Sequence, residues 1–148
     1  MLPHKEKMMK PWNDLTTLEF ADEIGDTILV AIKAHAQHAR EPDDMIRKFD
    51  EKTPYAIHPI WCAMTILTEA ELSPELRRLG YQALAWHDIL EDTTFLLPDA
   101  VDARVKGLVE ELTFQKNEDE RALIWGRSRE AKLLKLYDIV SNLLDNRT

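Results

Sequence analysis

The chain has 148 residues, 45% of them apolar and 31% charged, which suffices for one domain with a real core and not comfortably for two. A net charge of -8 is a poor match to the phosphate backbone of DNA or RNA, whose affinity comes mainly from Lys and Arg, although a small anionic ligand needs only a local cluster. Cys62 is the only cysteine, which excludes an intrachain disulfide and a cysteine-based zinc site and suits a reducing cytoplasm; no apolar run approaches the ~20 residues of a membrane span.

The first 14 residues, from "MLPHKEKMMKPW" onward, are charged, lack a secretory apolar segment and are expected to be loosely ordered. Helix one is predicted from Thr16, whose hydroxyl can cap while Glu19 reaches back. It runs through "LEFADEIGDTILVAIKAHAQHAR", with Phe20, Ile24, Ile28, Ala31 and His35 on one stripe. His35 and His38 read as structural or polar-face residues. After the polar connection "EPDDMIRKFDEKTPY", helix two starts near His58 with Pro59 in its first turn, and carries Ile60, Met64 and Leu67. Ser73 caps and Pro74 opens helix three, through Leu76, Leu79 and Ala83 to His87 and beyond. Pro98 opens helix four, where Val101, Val105, Leu108 and Leu112 recur at helical spacing. The charged "QKNEDERA" precedes a last helix of about Arg129 to Asn146, and the segment around Trp125 reads as loop or short helix. No alternating β-branched runs occur, so the expectation is a single all-α domain of five or six helices over residues 1–148.

The last helix, "KLLKLYDIVSNLLD", is apolar nearly all round, which predicts a central position. Lys135, Asp138, Asn142 and Asp145 nevertheless follow at steps of three and four and share one face. That face either meets solvent or lines a polar cavity. In the second case Asp138 must be paired or bound to a metal, because a bare carboxylate among apolar groups is too costly.

His58 in "PYAIHP", His87 and Asp88 in "WHDILED", and Asp138 in "LYDIV" each lie in an apolar context on a different helix. Two imidazoles and two carboxylates form a mixed nitrogen and oxygen set suited to manganese, iron, cobalt or zinc, with positions left for water. Glu91 and Asp92 lie one turn beyond His87 and Asp88, where acids could orient or deprotonate that water. Each piece alone is weak: a His-Asp dipeptide arises by chance, and His58 by itself reads as a helix-start residue. The four glycines are scattered, so neither a phosphate loop nor a dinucleotide fingerprint is present.

"RKFDEKTPYAIHP", "HDILEDTT" and "KLYDIVSNLLD", in that order, resemble the three signature segments of the RelA/SpoT-type alarmone hydrolases, a branch of the HD-domain metal-dependent phosphohydrolases. "VKGLVEELT", with Lys116 after it, resembles the helix between the second and third segments, and the likeness covers about residues 28–145. It implies a helical HD fold with one divalent ion, manganese, on His58, His87, Asp88 and Asp138. It implies that Glu91 and Asp92 position and activate the attacking water. Nucleotide contacts then fall to Arg47, Lys48, Tyr55 and Asn142, with Lys116 toward phosphate. The implied reaction removes the 3′-pyrophosphate from guanosine tetra- or pentaphosphate (ppGpp), the alarmone of the stringent response. The implied protein is a small stand-alone cytoplasmic hydrolase with a nucleotide substrate, no nucleic-acid or membrane partner, and room for a homo-oligomer.

The acidic stretch Glu41–Ile46 stands before Arg47 where the family pattern is shorter. Arg40 therefore rivals Arg47 as the family arginine, while the ungapped distance to His58 favours Arg47. Asp102 stands near the place of a family glycine in helix four. Two other functions fit the same ligands: an HD nucleotide phosphatase of different specificity, and a metal-binding regulatory domain with little turnover. Intact Glu91 and Asp92 argue against the second, which has no use for them.

Overall fold

The computed structural model describes residues 14–145. Almost all of the expected loose N-terminal segment, and Asn146 at the expected end of the last helix, lie outside the described residues. The elements are α1 (Leu18–Gln37), a 3-10 turn (Pro42–Met45), α2 (Ile57–Leu67), α3 (Pro74–Trp86), α4 (Ile89–Asp92), α5 (Ala103–Glu111), α6 (Glu120–Leu123), a second 3-10 turn (Ile124–Gly126) and α7 (Arg129–Asp145). No strand forms among the described residues, as expected of an all-α chain; Ala39–Thr93 and Ile46–Pro54 make isolated bridges.

Capping explains most of the boundaries. Thr17, not Thr16, caps α1, its hydroxyl accepting from the Phe20 amide at 3.0 Å. The Thr16 hydroxyl is taken by Asp14 instead. Ser73 caps α3 and Pro74 opens it, as the sequence predicts. Pro98 does not open a helix. Asp102 does that work for α5, its carboxylate accepting from the Arg104 amide at 2.8 Å, which gives the residue in the family glycine's neighbourhood a physical role. The Trp125 segment resolves into α6 and the second 3-10 turn.

α3 is the hub, packing against α1, α2, α5 and α7. Gly80 explains how close the helices come: a Cβ there would lie 2.6 Å from Ile66 on α2 and 3.0 Å from Leu134 on α7. Around it Ile66, Tyr81, Leu84, Ile89, Val109 and Leu134 form the centre of a continuous core. Helices α2, α3 and α7 are thereby drawn together at one end, where the polar groups gather.

α7 departs from the expectation of an all-round buried helix. Its buried stripe is Ala131, Leu134, Asp138 and Ser141, while Leu136, Ile139, Val140 and Leu143 are exposed. The polar stripe is thus partly the inward one: Asp138 is buried, Lys135 and Asp145 are half-buried, and Asn142 is exposed. What decides the face is the close approach at Leu134, not the count of apolar residues.

Candidate metal and catalytic site

α3 ends at Trp86, whose indole N–H donates to the Thr27 carbonyl at 3.1 Å and pins the helix end to α1. His87 then breaks the ladder. Its Nδ1 lies 2.6 Å from the Leu84 carbonyl, and α4 starts after Asp88. A carbonyl only accepts, so Nδ1 carries the proton and, in the neutral ring, Nε2 presents a lone pair. His58, in the first turn of α2, is steered likewise by Ser141 on α7, with Nδ1 2.7 Å from its hydroxyl.

Both Nε2 atoms converge on Asp138 Oδ1, at 2.8 Å from His58 and 3.1 Å from His87. Asp88 Oδ2 lies 3.5 Å and 3.2 Å from the same two nitrogens. One donor atom from each of the four residues falls within 4.8 Å of the others, and all four residues are buried. Lone pairs of two imidazoles and two carboxylates cannot share so small a volume without a cation or a proton among them. The spacing also suits donors around one divalent ion at ~2.0–2.2 Å. The donor set therefore fits a metal.

Hydrogen bonds from outside the set hold the carboxylates. The Tyr55 hydroxyl donates to Asp88 Oδ2 at 2.7 Å, and Lys135 donates to Asp138 Oδ2 at 2.6 Å while also pairing with Glu120. Burial opposes charge on Asp138, but hydrogen bonds from His58 and His87 and the nearby Lys135 hold its carboxyl well below the usual range. Burial likewise opposes a proton on His87, yet the charges of Asp88 and Asp138 push its pKa up to about 10 without an ion present.

Glu91 and Asp92 close α4 beside the cluster. Glu91 accepts from the Phe114 amide through Oε1, leaving Oε2 outside that bond. Burial pushes its carboxyl up to about 7; the Phe114 bond opposes this, and the charges of Asp88 and Asp92 add to it. Asp92 is also raised, by burial and then by Asp88 and Asp44.

The expected nucleotide contacts divide between two clefts. Arg47, Lys48, Tyr55 and Asn142 line one of about 340 Å³ together with Asp92. Lys116 lines another, of about 750 Å³, with Glu91 and Arg40. Arg47 is buried and engaged: it donates to Asn142 Oδ1 and to Asp145 Oδ2, both at 2.9 Å, and its Cζ lies 5.2 Å from the Tyr55 ring. Arg40 donates instead to the carbonyls of Leu90 and Glu91 and so caps the end of α4. Lys48 and Lys116 are exposed.

The chain is 36% identical over 117 residues to guanosine-3′,5′-bis(diphosphate) 3′-pyrophosphohydrolase MESH1 of Homo sapiens, covering 72% of this chain and 64% of that protein. It is 37% identical over 109 residues to the Mus musculus protein of the same name, covering 67% and 59% respectively. No family model matches this chain. The chain spans about three fifths of the length of the two relatives.

Sequence reasoning did not find Ser141 or Trp86 as supports of the His/Asp cluster. Ser141 stands three residues after Asp138 and so shares its face, a usable signal; nothing local pairs Trp86 with Thr27. His35, read as structural or polar-face, is buried with both ring nitrogens unpartnered and packs 4.8 Å from the Tyr55 ring. Burial lowers its pKa to about 4, so it is neutral there.

Proposed function

We propose that this HD domain is a metal-dependent hydrolase that removes the 3′-pyrophosphate from ppGpp or a closely related nucleotide. The observation that carries the reading is the buried convergence of His58, His87, Asp88 and Asp138 with Glu91 and Asp92 one turn on, in a relative of proteins named for that activity. Manganese is the proposed ion because the resemblance to the alarmone hydrolases implies it; the mixed imidazole and carboxylate set admits it alongside iron, cobalt and zinc. A divalent ion held there supplies Lewis acidity and makes hydroxide available near neutral pH. A reducing cytoplasm fits the lone buried thiol of Cys62.

The chain's own groups do the rest. The Leu84 carbonyl fixes His87 as an Nε2 donor, and Ser141 orients the His58 ring through Nδ1 so that its Nε2 faces the cluster. Glu91, poised near neutrality, takes a proton from the attacking water at Oε2. Asp92 orients that water from the neighbouring position. The water oxygen bonds to the phosphorus attached to O3′, the P–O3′ bond breaks, and pyrophosphate leaves as O3′ gains a proton. Lys48 and Lys116 approach the phosphates from opposite clefts, and Arg47 and Asn142 meet the nucleoside side. Tyr55 acts through its hydroxyl on Asp88, its ring being packed by His35, His58 and Arg47.

One observation favours a second reading, an HD phosphatase for a nucleotide with fewer phosphates. Asp43 and Asp44 line the Arg47 cleft, and Asp145 already neutralises Arg47. A nucleotide panel assayed with manganese and with chelator separates the two. Pyrophosphate released from 3′-pyrophosphorylated guanosine alone supports the first; orthophosphate released from ordinary nucleotides replaces it with the second.

A further inference from the structure

We propose that Trp125 walls a nucleobase subsite, with the base stacked on its indole face. This rests on the nucleotide reading above and specifies where that nucleotide lies.

Trp125 occupies the 3-10 turn between α6 and α7 and is 76% exposed. An indole so placed contributes little to the core, and a large exposed apolar group beside a polar centre marks a binding surface more often than a lone surface Leu does. It is not isolated. Trp125, Ile124, Ile139 and Leu143 form the apolar side of a cleft of about 500 Å³ that Asp138 and Asn142 also line. The volume falls within the ~300–1,000 Å³ usual for small-molecule sites, where apolar walls meet a few polar groups. Asp138 is common to this cleft and to the metal-ligand cluster, which puts the cleft beside the cluster.

The other aromatics near the cluster are less available. The Tyr55 ring is covered by His35, His58 and Arg47. Phe49 is 47% exposed and lines the clefts beside Arg47, not the one that contains Asp138. The exposed α7 residues Ile139 and Leu143 thereby acquire a use: they border the surface on which a flat ring lies. Stacking on an aromatic face tolerates any base, so this contact sets affinity for a nucleoside and leaves selection among bases to polar groups.

The test uses the full chain loaded with manganese and reads binding by calorimetry. The probes are guanosine 5′-diphosphate, the nucleotide product of cleaving ppGpp, and inorganic pyrophosphate, which has no base. Trp125→Ala is expected to weaken the diphosphate about tenfold, in line with the loss of one stacked base. Trp125→Phe stays within about threefold of the native protein, and pyrophosphate affinity is unchanged in both. Equal affinity in Trp125→Ala, an equal loss for pyrophosphate, no binding of the diphosphate to native protein, or a loss confined to Phe49→Ala would each overturn the subsite. Hydrolysis is read separately. A native protein that binds the diphosphate through Trp125 yet cleaves no 3′-pyrophosphate keeps the subsite and loses the proposed reaction. One that cleaves it with kinetics unmoved by Trp125→Ala keeps the reaction and loses the subsite.

Discussion

On the metal side of the site each donor is fixed twice, by its helix and by a hydrogen bond from outside the cluster: Ser141 on His58, Leu84 on His87, Tyr55 on Asp88, Lys135 on Asp138. On the nucleotide side Arg47, Lys48 and Lys116 lie on connecting segments. Arg47 is already paired with Asp145 and Asn142, and both lysines are exposed. On the proposed reading, a preorganised metal site thus faces a binding surface that exchanges partners when a ligand arrives. The first arrangement sets the chemistry and the second sets which molecule undergoes it.

The largest effect that sharpens this contrast comes from Glu91, which serves the chemistry without belonging to the donor set. Glu91→Gln should keep the metal and lower kcat roughly 10²- to 10⁴-fold. Steady-state kinetics with metal analysis checks this, and an unchanged rate removes Glu91 from the mechanism. Next is Tyr55→Phe, which keeps the ring against His35 and deletes only the hydroxyl on Asp88. Outer hydrogen bonds of this kind typically alter metal affinity by ~10–100-fold, so about tenfold weaker manganese binding with an unchanged KM is expected. Unaltered metal affinity joined to a raised KM would move Tyr55 to the nucleotide side.

A third test uses pH on the metal-free protein. His87, held up to about 10 against an ordinary 6.5, contributes stability that is complete below 6.5 and lost as pH rises through about 10. Glu91, raised from 4.5 to about 7, adds a decline of the same sign between those two values that is complete above 7, which leaves the range above 7 to His87. The thermal midpoint should therefore fall between pH 7 and pH 10, and added manganese should flatten the decline. A midpoint that rises over this interval contradicts the arrangement of charges. The smallest effect is expected from Asp145→Asn, which releases Arg47. Metal content stays the same and KM for a polyanionic nucleotide falls about threefold, as suits a mostly buried pair at the edge of a cleft. An equal change in metal affinity would mean that the two sides are not separate.

The same contrast explains what the sequence showed. "TPYxxHP", "HDxxEDT" and the Asp138 helix were readable because each carries residue types able to hold a metal, and the first two also sit at a helix start and a helix end. The helix start at Ser73 and Pro74 was readable for a local reason too. Pro98 misled, because proline permits a helix start without forcing one, and the side-chain cap lay at Asp102. α7 misled more. Its apolar residues surround the axis, and the choice of inward face depends on Gly80 letting Leu134 close on α3, a contact between residues 54 positions apart in the numbering. The pairing of Arg47 with Asp145 is equally non-local, so the composition of the loop could not reveal that this arginine is occupied.

His58, His87, Asp88 and Asp138 are expected to hold one divalent ion between three helices and the turn after α3. Metal analysis of the native protein after manganese loading and desalting tests it directly, alongside Asp138→Ala checked for intact helix content by circular dichroism. About one ion per chain is expected in the native protein and none in the variant. Equal manganese in the two proteins, or none in the native one, would contradict it.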